Sequence, residues 1–314
     1  MLGYLAKRVG MAVPTLLLVA MAVFALVRLI PGDPVQVLLG DAASPSQIEA
    51  LRRQLGLDQP IPVQFTFWLA KVATGDLGQS ISNHQPVLPL IIERFQVSAV
   101  IVLVAVGLAA LIAVPAGLIA AWRQNGVTDL VIVAGATLML SIPSFWLGLL
   151  LLLFFGLKLA WLPVIGYVPF AENFGQAMLY VILPIATLAI IETGVLTRMA
   201  RASSIEVLRL DYVTHARAKG VPEWRVLARH VLPNAFAPTW TLIGLTLGHL
   251  LGGIAVLETV FTIPGLGRLL VDAIFARDYP VVQGCLLLTA CVYVVVNLIV
   301  DLCYPLFDPR VVAE

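Results

Sequence analysis

The chain has 314 residues, 60% of them hydrophobic and only 12% charged, with a formal net charge of +1 and a mean hydropathy of +0.98. Soluble domains carry roughly 25% charged residues, so this composition excludes a water-soluble fold and predicts an all-α integral membrane protein. The near-neutral balance, with no basic tract, excludes a nucleic-acid binder.

In chain order, Lys7-Arg8 precede an apolar run from Val9 to about Leu29. The run exceeds the ~7–15 residues of a secretory h-region and no small-x-small site follows, so a first membrane span is expected, ended by Pro31-Gly-Asp-Pro34. Residues 33 to about 96 form the one sizeable polar insert. Ser44-Pro45-Ser46-Gln47 supplies an N-cap serine, a proline at the first helical position and a glutamine three residues after the cap. Ile48, Leu51 and Leu55 then share a face up to Gly56. Pro62 opens a second helix through Phe65, Trp68, Leu69 and Val72, which stops at Thr74-Gly75-Asp76. With the Phe67-Trp68 pair, these read as a small cap on the membrane surface.

Five further stretches are long enough for about 30 Å of hydrocarbon: roughly Val97 to Ala121, Leu130 to Leu157, Ala177 to Thr197, Ala235 to Leu257 and Val281 to Cys303. Six spans are therefore expected, with Pro143 and Pro184 as tolerable kinks. With the N-terminus in the cytoplasm, the inside segments carry Lys7, Arg8, Arg123, Arg198, Arg201, Arg209, Arg217, Lys219, Arg225, Arg229 and Arg310, eleven cations. The outside segments carry seven, Arg52, Arg53, Lys71, Arg94, Lys158, Arg268 and Arg277, with Arg28 at a boundary. The positive-inside rule then puts both termini in the cytoplasm and the insert outside.

The stretch from Asp211 to Asn234 lies on the cytoplasmic side of this scheme. Asp211 to Lys219 favours a helix, Gly220 suits its C-cap, and Pro222 suits the first turn of a second helix. On that second helix Trp224, Leu227 or Ala228, and Val231 fall on one side and Arg225 and Arg229 on another. Physics alone leaves two readings open: an element that enters a groove on a partner, or an amphipathic hairpin lying on headgroups.

Thr214-His215-Ala216, three residues, Gly220, nine residues and His230-Val231-Leu232-Pro233 resemble the E-A-A, G, I-x-L-P motif of binding-protein-dependent ABC importer permeases. Ala216, Gly220, Leu232 and Pro233 match, whereas Thr214, His215 and His230 depart from the consensus. Ala216-Arg217-Ala218-Lys219-Gly220 is similar to the peptide and nickel branch of that family. So are Pro31-Gly-Asp-Pro34, Leu55-Gly-Leu-Asp58, Gly75-Asp-Leu-Gly78 with Ser80, Glu258 to Gly267, Arg277 to Gln283 and Asp308-Pro309-Arg310. The resemblance implies a type I ABC importer permease fold of six helices with a small extracytoplasmic helical insert. Its parts would be 1–94 (first helix and insert), 95–303 (transmembrane domain, coupling loop about 204–234) and 304–314 (cytoplasmic tail). It further implies that Thr214, His215, Ala216, Arg217, Ala218, Lys219, Gly220, Trp224, Leu232 and Pro233 form a coupling element seated in a cleft of an ATPase subunit. The implied partners are a second, related permease, two ATPase subunits or domains, and an extracytoplasmic solute-binding protein.

No G-x-x-x-x-G-K-[ST] occurs, so this chain has no loop to cradle nucleotide phosphates; no cofactor is expected on it, and ATP and magnesium would serve the partner ATPases. His84, His215, His230 and His249 show no metal-ligand spacing, so no bound metal is expected. Cys285, Cys291 and Cys303 lie in or at the end of one late apolar run and read as buried free thiols. His249, in the fifth span, reads either as an imidazole satisfied inside the bundle or as a functional group. Glu192, about five residues before the end of its span, reads either as an ion-pair partner of Arg198 or Arg201 or as a substrate contact.

Gly244, Gly248 and Gly252 recur every fourth residue in the fifth span and clear a face for another helix. Ordinary bundle packing is one reading; the resemblance implies another, a helix that packs at the subunit interface and, with His249, lines the pathway. The moderately apolar segment from Glu258 to Tyr279 reads as an outer loop with a short helix; Glu258, Pro264, Gly265, Gly267, Arg277 and Asp278 are expected to help form a surface for the binding protein. The function expected is a non-catalytic, inner-membrane permease subunit for di- or oligopeptides. Nickel, metallophore and glutathione importers share the motifs. An ion-driven secondary transporter would instead show inverted repeats with paired broken helices, and a membrane-embedded enzyme a catalytic constellation.

Overall fold

A computed structural model of the chain describes residues 2–29, 44–54 and 58–307. Pro31-Gly-Asp-Pro34, Leu55 to Leu57 and Asp308-Pro309-Arg310 lie outside the described residues. Among those described, the regular elements are all helices, as lipid demands, because each segment there has to pair its own backbone N–H and C=O groups. They are α1 (Leu2–Leu29), α2 (Pro45–Gln54), α3 (Ile61–Ala73), α4 (Val87–Trp122), α5 (Val127–Ser141) and α6 (Ser144–Leu151, continued by a π-helical segment, Leu152–Lys158). Then come α7 (Phe174–Leu208), α8 (Asp211–Ala218), α9 (Glu223–Val226, continued by a π-helical segment, Leu227–Val231), α10 (Leu232–Gly253), α11 (Ala255–Val260), α12 (Leu266–Phe275) and α13 (Tyr279–Phe307).

Among the described residues, four helices are long and apolar enough to cross a membrane: Arg8–Leu26 within α1, all of α4 and α7, and Tyr279–Pro305 within α13. α5 and α6 qualify only as a pair bent by 95°. The kink expected at Pro143 is thus a full break. The proline forces Ile142 before it into extended backbone (φ −94°, ψ 123°), which ends α5, and Pro143 then precedes the first turn of α6. α10, the expected fifth span, is 22 residues long, about 33 Å of helix, but falls outside the set of four. α4 starts ten residues before the predicted Val97, and α7 runs on eleven residues past the predicted Thr197. At 36 and 35 residues, each spans about 53 Å and outreaches a 30 Å hydrocarbon layer.

These two helices pack together along most of their length. α4 buries Ala105, Ala109, Ala113, Gly117 and Ala121, one small residue every fourth position. That spacing lets helix backbones approach closely where lipid supplies no hydrophobic drive. At Gly117 a methyl group would sit 2.7 Å from Ala200 Cβ and 2.8 Å from the Arg201 nitrogen and Thr197 oxygen. The central apolar core adds α10 and α11 to this pair. A second cluster joins the start of α4 to α12 and the start of α13, and a third joins Leu118 and Val207, near the other ends of α4 and α7, to α8, α9 and the start of α10.

In the insert, the expected capping pattern forms: the Ser44 N–H donates to Gln47 Oε1 at 2.9 Å, and the Gln47 N–H to Ser44 Oγ at 3.4 Å. α3 leans on the end of α1, where Phe65 and Trp68 pack on Phe24 at ring-centroid distances of 5.2 and 5.5 Å. Phe67, by contrast, is exposed. Cys285 is buried, and all three cysteines are free thiols.

Arg201 does not pair with Glu192. Its guanidinium grips Asp129 in the first turn of α5, with Nε–Oδ1 at 2.6 Å and Nη2–Oδ2 at 2.7 Å, and the Asn125 N–H donates to the same carboxylate at 2.9 Å. Arg198 is exposed. The Asp129 side chain is only 7% exposed, so removing its cation leaves a buried charge unpaired. Arg201→Ala is expected to cost about 3–5 kcal/mol, and the double change Arg201→Gln, Asp129→Asn distinctly less. Thermal unfolding of the purified protein measures both.

Candidate coupling site

Between α7 and α10 the chain builds a helix, a corner and a second helix. α8 ends in a Schellman arrangement: the Gly220 N–H donates to Arg217 O at 2.9 Å and the Val221 N–H to Ala216 O at 3.3 Å. Gly220 takes φ +74°, and a Cβ placed there would meet nothing within 4 Å. The glycine therefore answers to backbone geometry and not to internal packing. Across the corner, Arg217 holds Glu223 with Nε–Oε1 at 2.8 Å and Nη2–Oε2 at 3.2 Å. Glu223 escaped the sequence reading, although a tight glycine turn six residues wide brings the ends of two helices within reach of such a pair.

The hairpin rests on the bundle through Val213, Ala216, Val226, Leu227 and Val231. Of the side expected to hold Trp224, Leu227 or Ala228, and Val231, Leu227 and Val231 are buried, whereas Ala228 is exposed and Trp224 is 65% exposed, with Arg225 over its ring at 5.1 Å. Thr214, His215, Arg217, Ala218, Lys219, Gly220 and Pro233 are exposed, Leu232 is half-buried and Ala216 is buried. The outward rim of the corner is thus cationic and aromatic.

The second helix runs into α10 without a break in helical backbone, through the π-helical segment Leu227–Val231. Pro233 explains it. Inside an α-helix its ring would press on the carbonyl four residues back, and its missing N–H would leave that carbonyl unpaired; a wider turn relieves the crowding. The His230 carbonyl accepts from Asn234 Nδ2 at 2.8 Å and from Tyr212 Oη at 3.3 Å.

Along α10, a Cβ on Gly244 would collide with Val300, one on Gly248 with the Tyr293 ring and one on Gly252 with Thr289, all on α13. The glycine line is therefore filled by a helix of the same chain. His249 lies on another side of α10 and is exposed.

At the opposite end of α4, Glu258 and Asp278 are each 1% exposed. Glu258 Oε1 accepts from Ser98 Oγ at 2.5 Å, its Oε2 from the Arg268 N–H at 2.8 Å, and Ser98 Oγ accepts the Leu266 N–H at 2.8 Å. Together they satisfy the N-terminus of α12 from two other helices. Burial raises the Glu258 pKa and these donors oppose the rise. Asp278 receives the Ser80 and Ser82 hydroxyls and the Ser82 N–H, clasping the end of the insert to the start of α13. Burial opposes its ionisation, but the hydrogen bonds prevail and hold the carboxyl below its ordinary range. The side chains of these two expected docking residues therefore face inward in this conformation. Gly265 and Gly267 are also buried, Pro264 is half-buried and Arg277 is exposed.

The sequence matches the family described as the binding-protein-dependent transport system inner membrane component over residues 113–313. The chain belongs to this family. Residues 1–102 match the family's N-terminal membrane component. Among its relatives, a putative peptide transport system permease of Brucella suis biovar 1 (strain 1330) is 42% identical over 311 residues, 99% of both chains. A glutathione transport system permease of Pectobacterium atrosepticum is 40% identical over 311 residues and a dipeptide transport system permease of Alkalihalophilus pseudofirmus 37% over 331, each alignment again covering 99% of both chains. The chain is thus a membrane-spanning permease component with a helical architecture.

Gly220→Ala is expected to destabilise the corner by about 1–2 kcal/mol through its left-handed backbone, and Gly220→Asn by less; hydrogen exchange at residues 216–223 reads the difference. A carboxyl with a lowered folded value stabilises above the ordinary carboxylate range and loses that contribution as pH falls through the folded value. Exchange protection of residues 79–86 should accordingly hold from pH 7 to 5 and fall below about pH 4, whereas Asp278→Asn should lower it already at pH 7.

Proposed function

We propose that this chain is one permease subunit of an ATP-driven importer for di- or oligopeptides. The observation that carries the reading is the exposed corner at Gly220, which runs as continuous helix into α10. A partner that pushes or tilts this corner acts directly on a helix of the central core. The peptide substrate is supported by relatives named peptide and dipeptide transport permeases at 42% and 37% identity over almost the whole chain. Glutathione, the solute in another relative's name, is itself a small peptide.

In this reading the corner, with Thr214, His215, Arg217, Lys219 and Trp224 on its rim, docks in a cleft of a separate ATPase subunit on the cytoplasmic side. Buried Ala216 and half-buried Leu232 shape the element from behind, and exposed Pro233 marks where it passes into α10. A second permease completes the pathway across six spans per chain, both termini lie in the cytoplasm, and a binding protein delivers solute from the other side. This chain contributes no catalytic group and no cofactor; ATP and magnesium are handled by the ATPases. The transmembrane part comprises residues 95–303, preceded by the first helix and insert (1–94) and followed by a short tail.

The test is co-purification with the partner subunits and reconstitution in liposomes. Dipeptide uptake should require ATP and the binding protein, and uptake that persists without either overturns the proposal. Trp224→Ala removes the largest exposed aromatic of the corner. If it anchors the ATPase, its loss should weaken that association by about 2 kcal/mol, roughly 30-fold, in a titration of the ATPase onto the permease pair.

A further inference from the structure

Glu192 lies deep within α7 as a half-buried carboxylate, and among the described residues it has no hydrogen-bond or ion-pair partner. The cation expected to neutralise it, Arg201, is held by Asp129. Arg198, six residues along, is about 9 Å away down the helix axis and exposed. Glu192 shares a face with Val195, Met199, Ala202 and Glu206, at helical spacing, and each of these is half-buried or exposed. The adjoining stripe of α7, through Leu196, Ala200, Ser203 and Val207, is buried, and Glu192 lies at its edge, with Leu196 at i+4.

α10 carries a matching polar group. His249 is exposed and unpartnered among the described residues, on a face shared with Thr241, Leu242 and Leu245 that is not fully buried. Val207 of α7 and Ala235 of α10 belong to one apolar cluster, which gathers these two helix ends. Counted from there at 1.5 Å per residue, Glu192 stands about 22 Å into the bundle and His249 about 21 Å. The two ionisable side chains, on helices that pack against each other, therefore lie at similar distances along their helices from that cluster.

A carboxylate turned to acyl chains is too costly to persist, so the accessible side of Glu192 meets water or protein and not lipid. We propose that Glu192, with His249 at a similar distance along α10, is a way-station for the cationic end of the transported solute, its carboxylate accepting a primary ammonium group such as a peptide's amino terminus. This rests on the peptide-importer reading above. A carboxylate without a resident cation suits such a role, because the cargo supplies the missing positive charge in transit and no internal ion pair has to break first. A single charged contact also binds weakly enough to release, as conduction requires.

The test compares wild type, Glu192→Gln and Glu192→Asp in the complete transporter, reconstituted with its binding protein and given a labelled dipeptide with a free amino terminus. The readout is dipeptide moved per ATP hydrolysed, together with recovery of the assembled complex. Glu192→Gln, near-isosteric and neutral, is expected to assemble and to lower the ratio about ten-fold, the scale of a lost hydrogen bond to a charged group, with Glu192→Asp recovering part of it. A wild-type ratio in Glu192→Gln overturns the proposal. So does failure of both variants to assemble, which would make Glu192 a packing residue. Failure of the peptide reading has its own signature, since the wild-type transporter would then move no dipeptide at all.

Discussion

The close contact between α4 and α7 is the constraint on which the other helices depend. In lipid, burying apolar side chains brings little gain, so two helices hold together by how near their backbones come. The line from Ala105 through Gly117 to Ala121 makes that approach possible, and at Gly117 it leaves no room even for a methyl group. Because both helices are longer than the bilayer is thick, their protruding ends offer foundations on both sides. The hairpin of α8 and α9 is built on one pair of ends, and α12 with the start of α13 on the start of α4.

Irregular backbone gathers at those ends, and buried carboxylates satisfy it. Glu258 supplies acceptors to the N-terminus of α12, Asp278 ties the loop after α3 to the start of α13, and Asp129 joins the first turn of α5 to α7. Each connects segments distant in sequence and each is nearly or wholly enclosed. Their common effect is to tie the end structures together beside the apolar clusters there. Loss of one partner in such a network leaves a desolvated polar group behind, which is more damaging than the pair is stabilising.

The apolar runs, the Ser44 capping pattern and the Gly220 corner were legible in the sequence because each rests on local rules: length, side-chain spacing and the left-handed backbone of glycine. Long-range pairings were not. Glu192 and Arg201 lie on one helix at a plausible reach, but the partner of Arg201 is Asp129, 72 residues earlier, and only tertiary packing selects between them. Trp224 went to the wrong side of its helix because helical periodicity assumes a uniform turn, and a π-helical segment follows directly. The Gly244 to Gly252 line was correctly seen as a close-packing face, but a sequence does not say which helix fills it. The alanine line of α4 passed unnoticed, since alanine is common in any apolar helix and its meaning lies in the neighbour it admits.

The wide segment at Leu227–Val231 also fixes a phase relation. A π-helical turn accommodates one more residue than an α-turn, so it sets how far α10 is rotated about its own axis relative to the hairpin. One residue corresponds to about 100° of helix. If that segment tightened to regular α-helix with the hairpin held still, α10 would have to turn as well as shift, and the polar and glycine sides of α10 would exchange neighbours. The proline that follows thus holds α10 and the hairpin at one relative angle, written into five residues of backbone.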